Sequence, residues 1–503
     1  MVKIRNFVFN VINILFTFWM VIILIGAFIN SHFQLLFHSK LLLLLPLTII
    51  LSFLIVYYVL PVKKLCKYIF IDHKLKTSLS LLAILFIIQL IVITRIKVSI
   101  SFWDPYAIHQ LINMNNYHEL VHNKFMHQYI SQSPNNLFII LFFHDIKNLI
   151  HQNISWTFLN ISALICVYLS ALINLFTVHL ISPSKVANMA YIEFTWILFF
   201  PNLFISYSDN FVLPFVSLII LFLTQLINKL EKHKTHKIIY SILLGLSVGI
   251  TYLIKPSAII VLFAAFFVGL MYINKKNLLK SLIILLISTC SFVAITKVNQ
   301  IYIKHQSTYK IIKNTSFPPN HFLAMGITGD GGYNPQLVNS DRGRSTFFIK
   351  KQSQKIIVNR FTKTKPSSLI KFFIQKNYLN TFDGSMGWQK EGTTMIDSHP
   401  VKGKINNFIV SFLYKNGKNL NKTFILCQLW WIVILCIILR NSLNWKNKNV
   451  IDVIIKLGIM GGLLFLLFFE GGRSRYLIQF LPLFLIYSNN YQKIHNKNSF
   501  IIN

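Results

Sequence analysis

The sequence predicts an all-α polytopic membrane protein, and three observations support that class. Apolar residues make up 54% of the 503 residues, charged residues only 13%, and the mean hydropathy is +0.58. Soluble domains carry about 25% charged residues, nearly twice this share. Apolar runs of about 17 to 25 residues recur along the chain, and runs of that length can cross a bilayer as helices.

We predict about twelve membrane-spanning helices from these runs. They cover residues 7–29, 41–61, 78–97, 156–181, 187–204, 211–229, 238–254, 257–273, 280–298, 422–439, 450–469 and 475–489. The first run is too long for a signal-peptide core and lacks a small-residue cleavage site, so we expect it to stay as a membrane anchor. The stretch Asn136–Ile150 is short and holds His144, Asp145 and Lys147, which are costly in a lipid-facing span. We therefore predict a re-entrant or juxtamembrane helix there.

Positive charge predicts the orientation of the chain, because short basic loops favour the cytoplasmic side. When 136–150 is not counted as a span, the short basic segments all fall on that side with both termini. These segments are 63–76, 229–237, 275–280 and 440–448. We accordingly expect an N-terminal transmembrane module at 1–298 with a first outer loop at 98–135. An extracytoplasmic loop subdomain follows at 299–421, with one helix near Pro366–Lys376, and C-terminal helices and a cytoplasmic tail at 422–503.

Composition also argues against several partners. The net charge is +35, but the lysines and arginines are spread over loops and tails rather than gathered in one basic domain, so we expect no nucleic-acid partner. Anionic lipid head groups are the expected partners of the short basic loops. None of the five cysteines forms a Cys-x-x-Cys pair, so neither a zinc site nor a disulfide framework is indicated. The richness in Ile, Asn and Lys is typical of an AT-rich genome.

Asp104 is the first candidate for chemistry. It is one of only 14 acidic residues, and it lies between Trp103 and Pro105, just beyond an apolar run. A carboxylate at that boundary could accept a proton from an acceptor hydroxyl while a lipid-linked substrate stays in the bilayer. The alternative is that Asp104 caps the helix that starts at Pro105. The two roles can coexist.

A second group of polar residues begins the apolar stretch after the first outer loop. Pro134, Asn135 and Asn136 form either a plain turn and helix cap or, with Tyr129, a site that hydrogen-bonds sugar hydroxyls.

Two further polar residues follow at the ends of later spans. Asp209 lies in the turn 206–210 and either caps the next helix or is a second carboxylate facing Asp104. Lys255, followed by Pro256, is either a lysine that snorkels to the membrane surface or a phosphate contact.

Two arginines beside glycines stand between the last two predicted spans. Arg473 and Arg475 follow Glu470-Gly471-Gly472, and guanidinium groups bind phosphate oxygens bidentately. The alternative is a solvated turn with a Glu–Arg pair. Arginine in a short extracytoplasmic turn runs against the orientation bias, and this favours a phosphate site.

In the large loop, Asp330 and Asp383 each stand among glycines with an aromatic residue nearby, Trp388 in the second case. Such loops suit sugar stacking and hydrogen bonding, but they also suit ordinary tight turns. The spacing does not match a calcium-binding EF-hand loop.

Taken in order, these elements resemble the membrane-embedded glycosyltransferases of the GT-C fold, which include protein O-mannosyltransferases and aminoarabinose transferases. The resemblance covers the whole chain and rests on Asp104, Pro134-Asn135-Asn136, Tyr207-Ser208-Asp209, Lys255-Pro256, the large loop, and Glu470 with Arg475-Tyr476-Leu477. The glycine-rich elements around Asp330 and Asp383 look like those of Gram-positive members, among them the group associated with an exosortase-like protein. The chain departs from the better-known members at Ser133-Pro134-Asn135-Asn136-Leu137, where they carry His-Pro-Pro-Leu or Lys-Pro-Pro-Leu.

The resemblance implies a GT-C-like bundle and an inverting glycosyltransferase that uses a polyprenyl-phosphate-linked sugar. Asp104 would be the general base, and Asp209 would orient Asp104 or the acceptor. Lys255, Arg473 and Arg475 would bind the donor phosphate. The substrate would also contact Tyr129, Asn135, Asn136, Asp330, Asp383, Trp388 and Glu470. No cofactor is expected, and a divalent metal ion stays an alternative that is not indicated, because only one acid follows the aromatic residue in the first loop and a paired-carboxylate metal site is not evident.

The implied acceptor is a cell-envelope glycan, glycolipid or protein. The protein would be a multi-pass cell-membrane protein of a Gram-positive, AT-rich bacterium, with its active site on the extracytoplasmic face.

Two rival functions belong to other classes. A transporter or flippase for lipid-linked sugars would show paired inverted repeats and charged residues near the bilayer midplane. Glu193, inside a predicted span, is the residue that favours it. A glycan polymerase or ligase would use arginine and histidine residues of the large loop, such as Arg342 and Arg344, rather than Asp104.

Overall fold

The computed structural model describes residues 2–37, 41–227, 233–272, 278–389, 402–444, 449–469 and 471–489. Across these ranges the chain forms helices and no β-strand. The predicted all-α polytopic class is therefore confirmed.

Sixteen α-helices of the described chain lie between residues 2 and 305. They are α1 (Val2–Ile29), α2 (Ser31–Phe37), α3 (Leu41–Tyr58), α4 (Leu60–Lys67), α5 (Lys74–Ile96), α6 (Asp104–Asn113), α7 (Tyr117–His122), α8 (Lys124–Gln132), α9 (Leu137–Ile150), α10 (Trp156–Ile181), α11 (Val186–Leu198), α12 (Ser208–Phe211), α13 (Leu213–Ile227), α14 (Lys234–Ile254), α15 (Ile260–Leu270) and α16 (Leu278–His305).

Eight more α-helices complete the described chain. They are α17 (Pro319–Gly326), α18 (Pro335–Asp341), α19 (Thr346–Lys363), α20 (Pro366–Thr381), α21 (Lys404–Leu413), α22 (Leu420–Ser442), α23 (Val450–Phe468) and α24 (Leu481–Ser488). Short 3-10 segments lie at Pro134–Asn136, Pro183–Lys185, Pro201–Phe204, Pro256–Ile259 and Ser474–Phe480, and a π-helical segment lies at Tyr68–Asp72.

Eight helices of the described residues are long and apolar enough to cross a membrane. They are Lys3–Ile29, Lys74–Ile96, Trp156–Ile181, Ser208–Ile227, Lys234–Ile254, Leu278–His305, Leu420–Ser442 and Val450–Phe468. A ninth candidate is the pair Pro46–Tyr58 and Leu60–Asp72, which is bent by 97°.

The remaining predicted spans, 187–204, 257–273 and 475–489, form shorter helices. Each is interrupted by, or begins at, a proline (Pro201, Pro256 and Pro482), which lacks the N–H needed to continue a regular helix.

Helix α9 is the stretch that we predicted to be re-entrant or juxtamembrane. Its 14 residues correspond to about 21 Å of helix, too short to cross a hydrocarbon core of about 30 Å. Its polar side chains bind loop backbone instead: Lys147 Nζ donates to the carbonyls of Asn113 and Met114, both at 3.0 Å. This helix therefore packs against α6 and holds the C-terminal end of that helix.

The segment 299–421 is less separate from the bundle than its predicted boundaries indicate. Helix α16 runs through residue 298 to His305. Residues of the segment form a small apolar cluster of their own, made of Ala324, Met325, Leu337 and Val338. In contrast, Met386 and Trp388 belong to the main core of the spans. The predicted helix near Pro366–Lys376 is present as α20.

Glycines allow one pair of spans to pack closely. Gly245 and Gly249 are four residues apart on α14, and a Cβ added at either position would collide with α16, at the Ser288 carbonyl and the Ile295 side chain respectively. Small residues at this spacing are a common device for close helix contact in membranes, where van der Waals packing replaces the hydrophobic effect.

Two groups of polar side chains inside the bundle are joined by hydrogen bonds or ion pairs. Asn174 donates to the buried Glu193 carboxylate at 2.9 Å, so Glu193 has the neighbouring polar group that its position in a span requires. Lys456 forms an ion pair with Asp452 at 2.7 Å and donates to Asn13 at 2.7 Å, which links α23 to α1.

Gln428 on α22 is the main polar connection between the spans and the end of α20. Its amide nitrogen donates to the carbonyls of Ala27 and Phe382 at 2.7 and 2.9 Å. Its amide oxygen accepts from Asn30 Nδ2 at 2.9 Å and from the Gly384 N–H at 2.8 Å. The side chain is fully buried, so all four bonds replace water that cannot reach it.

We expect Gln428→Leu to lower the stability of the purified protein. Leucine has a side-chain volume similar to that of glutamine, but it leaves the buried donors and acceptors that bound Gln428 unpaired. Each such group costs roughly 1–3 kcal/mol. Thermal unfolding in detergent measures the effect, with the exposed Gln336→Leu as the matched control. Equal melting temperatures for the two variants would show that the Gln428 network does not stabilise the bundle.

Candidate active site

The ends of several helices enclose a cavity of about 790 Å³. Seven of the twelve residues that the sequence singled out line it: Asp104, Tyr129, Asn135, Asn136, Lys255, Arg473 and Arg475. They come from four separate parts of the chain, which supports the prediction that these loops share one end of the bundle.

Asp104 is the first residue of α6 and is half-buried at the cavity wall. Its carboxylate accepts a hydrogen bond from the Tyr207 hydroxyl at 2.8 Å. Trp103 is the N-cap residue, and no side chain caps the helix. The capping alternative for Asp104 is therefore not what the structure shows: the carboxylate is held by a tyrosine and faces the cavity.

Two tyrosines surround Asp104. Burial, together with the negative charge of Asp104, raises the pKa of both the Tyr129 and the Tyr207 hydroxyls well above the usual value. Both therefore stay protonated and can donate hydrogen bonds. Asn136 Nδ2 donates to the Tyr129 hydroxyl at 2.8 Å, which fixes that ring. The carboxylate is thus oriented by a neutral hydroxyl group.

One face of α8 forms the next part of the wall. Phe125, Gln128, Tyr129 and Gln132 all line the cavity, and their spacing of three and four residues places them on one side of the helix. Beyond them, Phe317, His321, Phe322, Tyr333 and Arg342 of the large loop close the cavity from the other side. His321 is held by Asp341 at 2.8 Å and stacks on Phe317.

Asp209 lies behind the wall rather than opposite Asp104, so the structure does not bring the two carboxylates face to face. It is buried, and its two oxygens are taken by different cations. Lys255 Nζ donates to Oδ1, and Arg475 Nη1 donates to Oδ2 at 3.2 Å. The reason is burial, since a buried carboxylate needs a charged partner. Asp209 therefore positions Lys255 and Arg475 at the cavity.

Arg475 is also enclosed by aromatic rings. Its guanidinium carbon lies 4.2 Å from the centre of the Trp103 ring, 5.3 Å from Tyr207 and 5.0 Å from Tyr476. Stacking of this kind suits arginine because its charge is delocalised over a flat, weakly hydrated group. The contact with Trp103 brings the late arginine beside the residue that precedes Asp104.

Arg473 stands on a tightly held loop. Asn380 Oδ1 accepts from the backbone N–H groups of Gly472 and Arg473, at 2.6 and 3.3 Å. Gly472 has φ +67°, and a Cβ there would lie 2.8 Å from the Asp330 carbonyl. Within the described ranges, Arg473 forms no ion pair. Its side chain lines the cavity.

The other predicted contacts lie elsewhere. Asp330 is outside the cavity lining, and its Oδ1 accepts from the Gly332 N–H at 2.9 Å beside the Arg473 loop. Asp383 is buried and bound by His32 and Ser385. Trp388 is fully buried, with its ring N–H on the Leu413 carbonyl at 2.9 Å. The glycine-rich sequences around these residues form tight turns, and neither Asp383 nor Trp388 can reach the cavity. Glu470 lies outside the described residues.

Sequence reasoning missed the residues that position the site. The sequence pattern indicated Tyr207 only as part of a turn, yet it binds Asp104, 103 positions earlier in the chain. Asn380 was not singled out, and neither was Lys376, whose Nζ donates to the carbonyls of Gly326 and Phe469. Lys376 and Asn380 are four residues apart on α20, and this spacing indicates a shared helix face. Nothing in the sequence indicated which residues that face would contact.

Metal ligands are not clustered in the described residues, which contain no group of three His, Cys, Asp or Glu side chains that could hold an ion.

The chain matches a family described as "Conserved hypothetical integral membrane protein" over residues 4–493. No curated protein and no solved structure matches the chain.

We expect Asp209→Asn to destabilise the protein strongly. The change removes one charge from between two cations that are largely buried, and breaking a buried ion pair costs about 3–5 kcal/mol. Unfolding of the purified protein measures the loss, and Asp330→Asn, at an exposed position, is the matched control. Adding Arg475→Gln to Asp209→Asn should restore part of the stability, because one uncompensated cation is removed. A stability for Asp209→Asn equal to that of the control would contradict the assignment of Asp209 as the residue that holds both cations.

Proposed function

We propose that this chain, which belongs to the family of conserved hypothetical integral membrane proteins, is a glycosyltransferase of the GT-C fold. In this proposal it transfers a sugar from a polyprenyl-phosphate donor to a hydroxyl of a cell-envelope glycan, lipid or protein. The single observation that carries the proposal is the shared cavity, in which one carboxylate, Asp104, stands with the cations Lys255, Arg473 and Arg475.

Asp104 is the proposed general base. Among the described residues it is the only carboxylate that lines the cavity. The acceptor hydroxyl would give its proton to the Asp104 oxygen as the hydroxyl oxygen forms a bond to the anomeric carbon. The bond between that carbon and the phosphate oxygen breaks on the opposite face, so the anomeric configuration inverts. The hydrogen bond from Tyr207 orients the carboxylate.

The cations would receive the departing phosphate. Lys255 and Arg475 share a single carboxylate, Asp209, and Arg473 has no ion-pair partner within the described chain. The cavity therefore carries surplus positive charge where charge develops on the leaving group. Such fixed cations can stabilise a phosphate dianion, which is already a good leaving group, without a metal ion.

The apolar part of the cavity supports a lipid-linked donor. Ile254, Phe465, Leu466 and Phe469 line it at the ends of the candidate spans α14 and α23. A phosphate held by the cations would then continue into a prenyl chain that stays beside these spans.

The proposed sidedness follows from charge. The cavity lies at the ends of the spans away from the short basic segments such as 63–76, and those segments favour the cytoplasm. We therefore place the site on the extracytoplasmic face. The glycine-rich elements that resemble Gram-positive proteins support a Gram-positive source for the chain.

Asp104→Asn tests the base. The amide can still accept from Tyr207, so the variant should fold, but it cannot take a proton, and transfer should fall by on the order of 10²–10⁴-fold. A deletion strain that accumulates lipid-linked sugar, identified by mass spectrometry, is complemented with each variant. Asp145→Asn is the matched control, because Asp145 is exposed and outside the cavity. Normal consumption of the lipid-linked sugar by Asp104→Asn would rule it out as the base.

Loop arginines separate this proposal from a glycan polymerase or ligase. Arg342 lines the same cavity and Arg344 does not. An enzyme that used loop arginines for its chemistry would lose activity in Arg342→Ala and keep it in Asp104→Asn. A flippase would show no bond formation in any variant, including the wild type.

Arg473→Gln tests the phosphate site. Loss of one charge-assisted contact is worth about 1.5–3 kcal/mol, so we expect affinity for a polyprenyl phosphate to fall by roughly 10–100-fold. Arg473→Lys should keep part of it. Binding to the purified protein is followed by ligand-induced thermal stabilisation, with Arg344→Gln as the control. Unchanged affinity in Arg473→Gln would remove this residue from the phosphate site.

A further inference from the structure

The segment 342–382 has an extreme charge distribution. It contains ten lysines and arginines and no aspartate or glutamate. It forms two consecutive helices, α19 and α20, and Arg360 of the first stacks on Phe372 of the second, with 4.8 Å between the guanidinium carbon and the ring centre. Within this segment, the proposed reaction involves only Lys376 and Asn380, which hold the Arg473 loop from the C-terminal half of α20.

Large apolar side chains stand exposed among these cations. On α19, Phe347 is 78% exposed, and Val358 and Phe361 are exposed on the same face, since their spacings of 11 and 3 residues approximate whole turns. On α20, Ile370 and Ile374 are 61% and 63% exposed, one turn apart. Lys350, Lys351, Lys355, Lys363, Lys365 and Lys371 are exposed around them.

The position of α20 along α1 places this surface at the membrane. Trp19 Nε1 of α1 donates to Asn377 Oδ1 at 2.8 Å, and Tyr378 packs against Gly26. Helix α1 has 28 residues, or about 42 Å, against a hydrocarbon core of about 30 Å. Trp19 lies about 15 Å before the end of α1. Helix α1 is thus about 12 Å longer than the hydrocarbon core is thick. Even if all of this excess projected from the membrane at the C-terminal end of α1, Trp19 would still lie within the hydrocarbon.

Phe373 of α20 contacts Phe468, the last residue of α23, with 5.3 Å between the ring centres, so this part of α20 lies beside the end of a candidate span. Ile370 and Ile374 lie within one turn of Phe373 on the same helix. An apolar side chain exposed at that depth meets acyl chains. Lysines around such a face meet lipid phosphates, because their long side chains reach the surface while the apolar face stays buried.

We propose that α19 and α20 form an interfacial membrane surface on the leaflet next to the cavity. The exposed apolar side chains insert between acyl chains, and the lysines bind the phosphates of anionic lipid head groups. Charge complementarity selects this occupant, because six exposed lysines with no carboxylate in the segment fit a negatively charged bilayer surface. The surface is separate from the donor cavity, so the test of its lipid binding does not depend on the proposed reaction.

Photo-cross-linking tests the insertion. Ile370→p-benzoylphenylalanine and Ile374→p-benzoylphenylalanine are made in the full chain, reconstituted in nanodiscs that contain phosphatidylcholine and phosphatidylglycerol, and irradiated. We expect a phospholipid adduct at both positions and none at Gln336, an exposed control position on α18. Absence of lipid adducts at both positions overturns the proposal. Cross-links to a second copy of the chain, or to a co-purified glycan or nucleic acid, also overturn it and identify that other occupant.

The lipid that the purified protein retains tests the role of the exposed lysines. Lys350, Lys351, Lys355 and Lys363 are changed to Gln together, and phosphatidylglycerol bound to the purified protein is counted by native mass spectrometry after exchange into mixed lipid. We expect the preference for phosphatidylglycerol over phosphatidylcholine to fall on the order of ten-fold or more, since each lysine near an anionic surface contributes several-fold. The control replaces Lys124, Lys304, Lys310 and Lys313, which lie outside the two helices. An equal fall in both quadruple variants would show that net charge, not this surface, selects the lipid.

Discussion

Asp209 and its two cations are the interaction around which the rest of the site is arranged. The carboxylate is buried, and the turn that carries it, the end of α14 and the loop after α23 are far apart in sequence. Because a buried carboxylate is costly unless both of its oxygens are bound, these three segments must meet. Arg475 then stacks on Trp103, and Tyr207, two residues before Asp209, binds Asp104. One buried charge thus fixes both the cations and the acid at the cavity wall.

The two carboxylates are kept different by their surroundings. Asp209 is paired with cations, so its charge is compensated and its oxygens are occupied. Asp104 has neutral phenols as neighbours, because burial keeps the Tyr129 and Tyr207 pKa values high. Its carboxylate lines the cavity near Arg475, whereas Asp209 lies behind the wall. Two residues of the same type are thus held in different environments.

Positive charge gathers in two places that the fold brings to one end of the bundle. In the cavity, Arg473 stands on a loop clamped by Asn380, and on the surface the lysines of α19 and α20 surround exposed apolar side chains. Helix α20 belongs to both, since Asn380 and Lys376 face the loop while Ile370 and Ile374 face outward. The proposed lipid contact and the position of Arg473 therefore depend on the same helix.

Sequence by itself determined the class of the protein and most of the helices, because the length and apolar content of a span are local properties. It also indicated that Asp104, Lys255, Arg473 and Arg475 would meet, since alternate crossings return the chain to one side. Tertiary structure alone decided what each side chain does there. It paired Asp209 with cations rather than with Asp104, chose Tyr207 as the partner of Asp104, and buried Asp383 and Trp388 away from the cavity. Such outcomes depend on contacts between residues hundreds of positions apart, and no local pattern of spacing or composition carries that information.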